Sequence, residues 1–278
     1  MTGFRRLDPV SLLVAPAVGY LGLVYGLPLL LLLGHSFVVD GTPSIASFVR
    51  FFADPFDWMV IANTLRIALA VTLVSLVIGW PTAIALARAK GAAQAAILVA
   101  IILPLSVGVV VKAFAWQIVL RRDGVVSQAL VWLHVWDEPQ RLLFTETGLV
   151  VGAVNVFVPF MILPIYSVLK LVDPRLDEAA ATLGAGPFFR FFLVALPLSL
   201  PGIVTGVAFV FSMAVSMYVV PSLLIGDRFQ TLATLTGRSF LFMRNPQLGS
   251  TTAVVLLVLA VAVVVGSAKL SRRFGGAS

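Results

Sequence analysis

DPRLDEAAATLGAGPFFRFFLVALPLSLP, residues 173 to 201, is the long polar interruption in the second half of an otherwise mostly apolar chain. It reads as a short docking helix. Asp173 suits the N-cap, and Pro174 suits the first helical position, where its missing N–H is no loss. Asp177 and Glu178 fall in the first turns, where negative charge complements the helix dipole. The run from Glu178 to Leu183 has high helix propensity, and Gly184, Gly186 and Pro187 then stop it. About three helical turns are expected, held between two apolar runs each long enough to cross a bilayer.

Working outward, hydrophobic residues make up 60% of the 278 residues and charged residues only 11%, with a mean hydropathy of +1.07. No soluble fold hides this much apolar surface, so the chain is expected to be an all-α polytopic membrane protein. Its net charge of +7 is spread over loops and ends, which fits lipid headgroups and topology better than nucleic acid. The chain has no cysteine, so disulfides and thiolate metal sites do not arise.

Six apolar runs have spanning length, at about 11–34, 62–87, 94–120, 147–170, 191–224 and 251–270. An even number puts both termini on one side. Outside the spans, that side holds Arg5, Arg6, Arg88, Lys90, Lys170, Arg175, Arg190, Lys269, Arg272 and Arg273. The other side holds Arg50, Arg121, Arg122, Arg141, Arg228, Arg238 and Arg244. The larger positive count places both termini and the Glu178 loop in the cytoplasm. Segments 35–61 and 121–146 then form long outer loops, with Trp58, Trp132 and Trp136 suited to the interface. The segment 225–250 is expected to hold a short helix near Thr231 to Phe242, ended by Asn245-Pro246.

The spacing within the quoted stretch is EAA-x3-G-x9-V-x-LP, made by Glu178, Ala179, Ala180, Gly184, Val194, Leu196 and Pro197. It resembles the cytoplasmic EAA loop of the permeases of binding-protein-dependent ABC importers, with Val194 where isoleucine is usual there. The two residues differ by one methylene and share a branched, apolar character. Asn63-Thr64-Leu65, Gly79-x-Pro81, Leu86-Ala87-Arg88 and Leu196-Pro197-Leu198 extend the likeness over most of the chain, and in detail it is similar to the polyamine-type permeases. The resemblance implies a single permease domain over 1–278, with a six-span MetI-like core and a coupling loop at about 171–190. Asp177, Glu178, Ala179, Ala180 and Gly184 would contact an ATPase subunit. It further implies a second permease, identical or homologous, and an external solute-binding protein in a bacterial inner membrane. ATP and magnesium would sit on the ATPase subunits, with no cofactor on this chain.

Chemistry of the chain's own is hard to find. No G-x4-G-K-[ST] occurs, and no H-E-x-x-H or G-x-S-x-G. His35 and His134 lie far apart in loops, where surface histidines are the simpler reading. All twelve acids are expected in loops or tails, leaving Lys112 and Arg66 as the cations within spans. An ion-coupled secondary carrier, the alternative function, commonly sets acids at mid-membrane depth, so this inventory speaks against it. It also speaks against a path that itself selects a polycation, and so places selectivity on the external binding protein.

Two features inside the spans carry open readings. Thr205, Phe209, Ser212 and Ser216 share a helical stripe that either lines a path or packs helices. Lys112 either faces the path or snorkels to an interface. Glycine pairs at 22/26, 148/152 and 202/206 read as close helix contacts.

Overall fold

A computed structural model describes residues 9–39, 41–173, 175–226 and 229–275. Apart from a two-residue antiparallel hairpin, β1 (Val38–Val39) and β2 (Thr42–Pro43), its regular elements are helices. The first span runs through α1 (Pro9–Leu21), a π turn (Gly22–Gly26) and α2 (Leu27–Gly34). After α3 (Ala46–Ala53) comes α4 (Pro55–Arg88), the longest helix at 34 residues. At 1.5 Å per residue it is roughly 50 Å long, more than a bilayer core needs. Then follow α5 (Gly91–Ile102), α6 (Val109–Val119), α7 (Val125–Trp132), α8 (Glu146–Leu169) and α9 (Arg175–Thr182). The chain ends with α10 (Pro187–Arg190), a second π turn (Phe191–Ala195), α11 (Leu196–Val215), α12 (Val219–Leu224), α13 (Leu232–Leu241) and α14 (Pro246–Gly275).

The core is a three-helix contact of α4, α8 and α11, with α14 laid on α11 and α13. Glycine makes it close. Met161 of α8 is 0% exposed and sits between Gly79 of α4 and Gly206 of α11. A Cβ added at either glycine would come within 2.8 Å of the Met161 side chain. One turn away, a Cβ at Gly202 would meet the Ile165 Cα at 2.7 Å, so backbone rests almost on backbone. Gly152 likewise lies against Leu224 of α12, whereas Gly148 faces the Leu142 carbonyl of the preceding loop rather than another helix. The Gly22/Gly26 pair departs from expectation: nothing lies within 4 Å of either, because the first span stands outside this core with no buried residue in its window.

Among the described residues five helices are long and apolar enough to cross a membrane, and the third expected span is not a straight one. Its two halves, α5 with its 3-10 extension and α6, meet at 101°. Pro104 tightens the end of α5 into a 3-10 turn (Leu103–Ser106), and Val107 and Gly108 are extended before α6 restarts. Each half carries its own anchor. Gln94 of α5 donates to the Tyr166 hydroxyl (3.1 Å), and Gln117 of α6 donates to the Leu223 carbonyl (2.6 Å).

The fifth run also divides. Helix α11 stops at Val215, and Val219–Leu224 is a separate helix. Both π turns lie immediately before a Leu-Pro pair, Leu27-Pro28 and Leu196-Pro197. Proline cannot donate to the carbonyl four residues back and its ring crowds it, so the ladder shifts to the fifth residue, with Leu27 N–H on Gly22 O and Leu196 N–H on Phe191 O.

The expectation that every acid lies in a loop or tail is corrected at helix starts. Helix α4 begins at Pro55 rather than near 62 and takes Asp57 into its first turn, 5% exposed, while Glu146 opens α8. Glu146 pairs with Arg66 across α4 and α8, both partners half-exposed. The short helix expected between 231 and 242 is α13, opened by a capping box of Thr231 with Thr234. Thr64 of α4 holds it in place: its hydroxyl donates to Val60 O and accepts from Leu232 N at 2.9 Å. Asn63 donates to Gln230 O beside it (3.3 Å). Asn63-Thr64 is thus a latch for α13.

Candidate coupling site and translocation path

The helix expected to dock is α9, eight residues or about two turns, shorter than the three expected. Asp173 caps it as expected, its Oδ1 accepting from Arg175 N at 2.9 Å. Pro174 lies outside the described residues, as do the side chains of Asp177 and Glu178, whose backbones fall in α9. Ala179 is exposed and Ala180 half-buried.

Gly184 explains the early stop. Its φ is +84°, and Ala185 N bonds Ala180 O while Gly184 N bonds Ala181 O, each at 3.0 Å. This paired 6→1 and 5→2 closure is a Schellman motif, and it requires a left-handed residue at that position. Nothing lies within 4 Å of a Cβ built there, so conformation rather than space selects glycine.

The segment that follows α9 is joined to the core by aromatic rings, which is not evident from the EAA spacing. Phe188 stacks on Phe192 (centroids 4.7 Å), Phe192 meets Phe191 edge-on (5.2 Å), and Phe191 packs on Trp80 of α4 (4.5 Å). Trp80 Nε1 also donates to Ser199 Oγ at 3.0 Å, fastening the start of α11 to α4. The FFRFF run at 188–192 is the sequence signal for this device, since four rings directly after a docking helix need a partner surface.

The stripe on α11 is only partly continuous. Thr205 and Phe209 line an open cleft of about 420 Å³ with Phe160, Leu163, Pro164 and Ser167 of α8. Phe209 is 54% exposed. Ser212 Oγ is buried without a hydrogen bond, and Ser216 lies just past the helix end, bonding Ser212 O at 2.9 Å. Lys112 is not brought to this cleft. It is 8% exposed on α6, which packs against α12 and α8.

The fold is a bundle of apolar helices of spanning length, with the short capped helix α9 between α8 and α11. The family described as binding-protein-dependent transport system inner membrane component matches residues 124–274. The spermidine/putrescine transport system permease protein PotB of Escherichia coli (strain K12) is 31% identical over 256 residues, 89% of this chain and 92% of that protein. The inner membrane ABC transporter permease protein YdcU of the same organism is 34% identical over 233 residues, 76% of this chain and 74% of that one. A crystal structure of a bacterial ABC transporter involved in the import of the acidic polysaccharide alginate shares the fold. Its TM-score is 0.76 at 18% identity, over 97% of this chain and 96% of that one. The chain belongs to the binding-protein-dependent transport system inner membrane components. It is a multi-pass inner-membrane permease subunit of an ABC importer, a transport subunit rather than an enzyme, and not an ion-coupled carrier.

Proposed function

We propose that this permease conducts a polyamine or related small polar solute, released to it by an external binding protein and driven by ATP hydrolysed with magnesium on separate ATPase subunits. It acts as one permease domain of a pair, with both termini and α9 on the cytoplasmic face. The observation that carries the reading is α9 itself: a two-turn helix, capped at both ends, carrying the EAA-x3-G spacing and joined to the core by the Trp80 aromatic chain. Asp177, Glu178, Ala179, Ala180 and Gly184 form its ATPase contact.

The cleft at Thr205 and Phe209 suits a cation held weakly. Ser167 Oγ donates to Pro164 O and Thr205 Oγ1 to Pro201 O, each at 2.8 Å, so both hydroxyls turn only lone pairs outward. Two phenylalanines line the cleft, side chains that attract an ammonium group, and no acid is among its described lining residues. Such a path attracts and releases, while the binding protein selects.

The test reverses charge at the docking helix. Glu178→Lys is expected to leave the permease inserted but to abolish ATP-driven spermidine uptake and co-purification of the ATPase. Uptake at the parent rate would refute the assignment of α9.

A further inference from the structure

Helix α7 is apolar on two sides and packed on only one of them. After the bent span ends at Leu120 the chain makes an excursion over 121–141, its neck closed by Leu142 N and Leu143 N on Leu120 O at 3.1 and 2.8 Å. Within it α7 starts hard against α6, since a Cβ added at Gly124 would meet the Val119 carbonyl. The packed side of α7 holds Val126, Ser127, Leu130 and Val131. Val125, Ala129 and Trp132, spaced by four and three, form one stripe on the open side. Val125 is 73% and Trp132 78% exposed. Gln128, the one polar side chain beside that stripe, turns its amide back onto Asp123 O at 2.9 Å.

The helix closes at His134, which takes φ +57° while Val135 N bonds Leu130 O and His134 N bonds Val131 O. That turn adds Leu133 and Val135 to the exposed apolar surface. Between 124 and 136 no Asp, Glu, Lys or Arg occurs. The charges stand at the two ends of the excursion, where Arg122 Nε donates to Pro139 O at 3.0 Å and the Arg122 guanidinium lies 4.0 Å from Glu138.

We infer that α7 lies in the interface of the bilayer, with Val125, Ala129 and Trp132 against the acyl chains. A helix apolar all round needs cover on every side, and a run too short to span is suited to the interface. The stripe starts beside the end of α6, whose own exposed residues within the bent span, Phe114 and Ile118, are apolar too. Trp132 Nε1 has no hydrogen bond among the described residues, so the indole keeps its N–H for headgroup oxygens and its ring for the chains. A protein that docks and leaves in each cycle meets a surface no more apolar than average, whereas this stripe is uncharged throughout. Immersion of α7 holds the end of α6, and through Gln117 on Leu223 O it holds α12. The inference needs the spanning bundle, but neither the solute nor the face on which α7 lies.

The experiment uses the intact importer in nanodiscs, where both faces are open to solutes. Parent and Trp132→Phe are compared in phosphatidylcholine and in its acyl-brominated form, and the difference between their fluorescence isolates Trp132. That component is expected to lose most of its intensity to the brominated chains and little to aqueous iodide. Because the chain has no cysteine, Ala129→Cys and Glu138→Cys report the two sides of the excursion separately. With a water-soluble maleimide, read on the permease chain, the thiol at 129 is expected to react about tenfold more slowly than that at 138, since apolar surroundings suppress the thiolate. Quenching of Trp132 by iodide and not by bromine, or equal reaction at the two thiols, would put the stripe in water and overturn the proposal. Resistance of Trp132 to both quenchers, with the thiol at 129 unreactive, would put a protein there and overturn it as well.

Discussion

Replacing Gly184 separates backbone conformation from contact at the docking helix. The residue stands at φ +84° with open space around its Cβ position, so the cost of Gly184→Ala is the cost of holding an L-residue left-handed, about 1–2 kcal/mol. Alanine also has the better helix propensity, which drives the chain to continue α9 past Leu183 and break the bonds from Gly184 N and Ala185 N. A shift of that size lowers the correctly ended helix by roughly 5- to 30-fold where it is marginal on its own. On the proposed function only the formed helix docks, so the ATPase affinity is expected to fall by the same fraction. Gly184→Asn provides the contrast, because asparagine is larger than alanine yet tolerates the left-handed region. The expected order of ATPase retention is glycine, then asparagine, then alanine, measured by co-purification with the tagged permease and by binding-protein-stimulated ATP hydrolysis. If asparagine proves worse than alanine, volume at the docking surface governs, and the conformational account is wrong.

Met161→Ala empties the site between Gly79 and Gly206 and is expected to destabilise the bundle by about 2–5 kcal/mol, read as a lower midpoint in thermal aggregation of the detergent-solubilised protein. Trp80→Phe keeps a ring against Phe191 but removes the donor to Ser199, for a loss of about 1 kcal/mol and near-normal coupling. Trp80→Ala removes both, and is expected to retain the ATPase while uncoupling its hydrolysis from uptake; normal transport by this variant would show that the aromatic chain carries no motion.

Much of this architecture is written locally. The capping aspartate, the stop at Gly184 and the start of α13 at Thr231 follow from short-range hydrogen bonding that any such sequence offers. Gly202 and Gly206 likewise predict a close approach, though not that Ile165 and Met161 receive them. What escapes the sequence depends on distant partners. Hydropathy over 94–120 cannot distinguish a straight span from one turned by 101°, because both halves are apolar and the bend is held by amides reaching Tyr166 and Leu223. The stripe from Thr205 to Ser216 follows helical periodicity on paper but outruns the helix, which ends at Val215. For Lys112 the sequence leaves two readings open, and its burial on α6 against α12 and α8 depends on partners far along the chain.

The distribution of stiffness along α11 decides where a pull on α9 is felt. From Gly202 onward the helix is locked: its glycines lie on the Ile165 backbone and on Met161, and no side chain there can yield without opening the core. Before that point it is soft. The π turn Phe191–Ala195 has already shifted its ladder, and Pro197 and Pro201 remove two further donors. A displacement of α9 therefore works first on the segment between Phe188 and Pro201, whose fixed outside contact is Trp80 on α4. On the proposed function, and because α4 is itself packed through Gly79 on Met161, such a displacement is expected to rock α4 together with the entry of α11 about the glycine contacts. On that reading the change is expected near the start of α11, while Thr64 and Asn63 keep α4 fastened to α13.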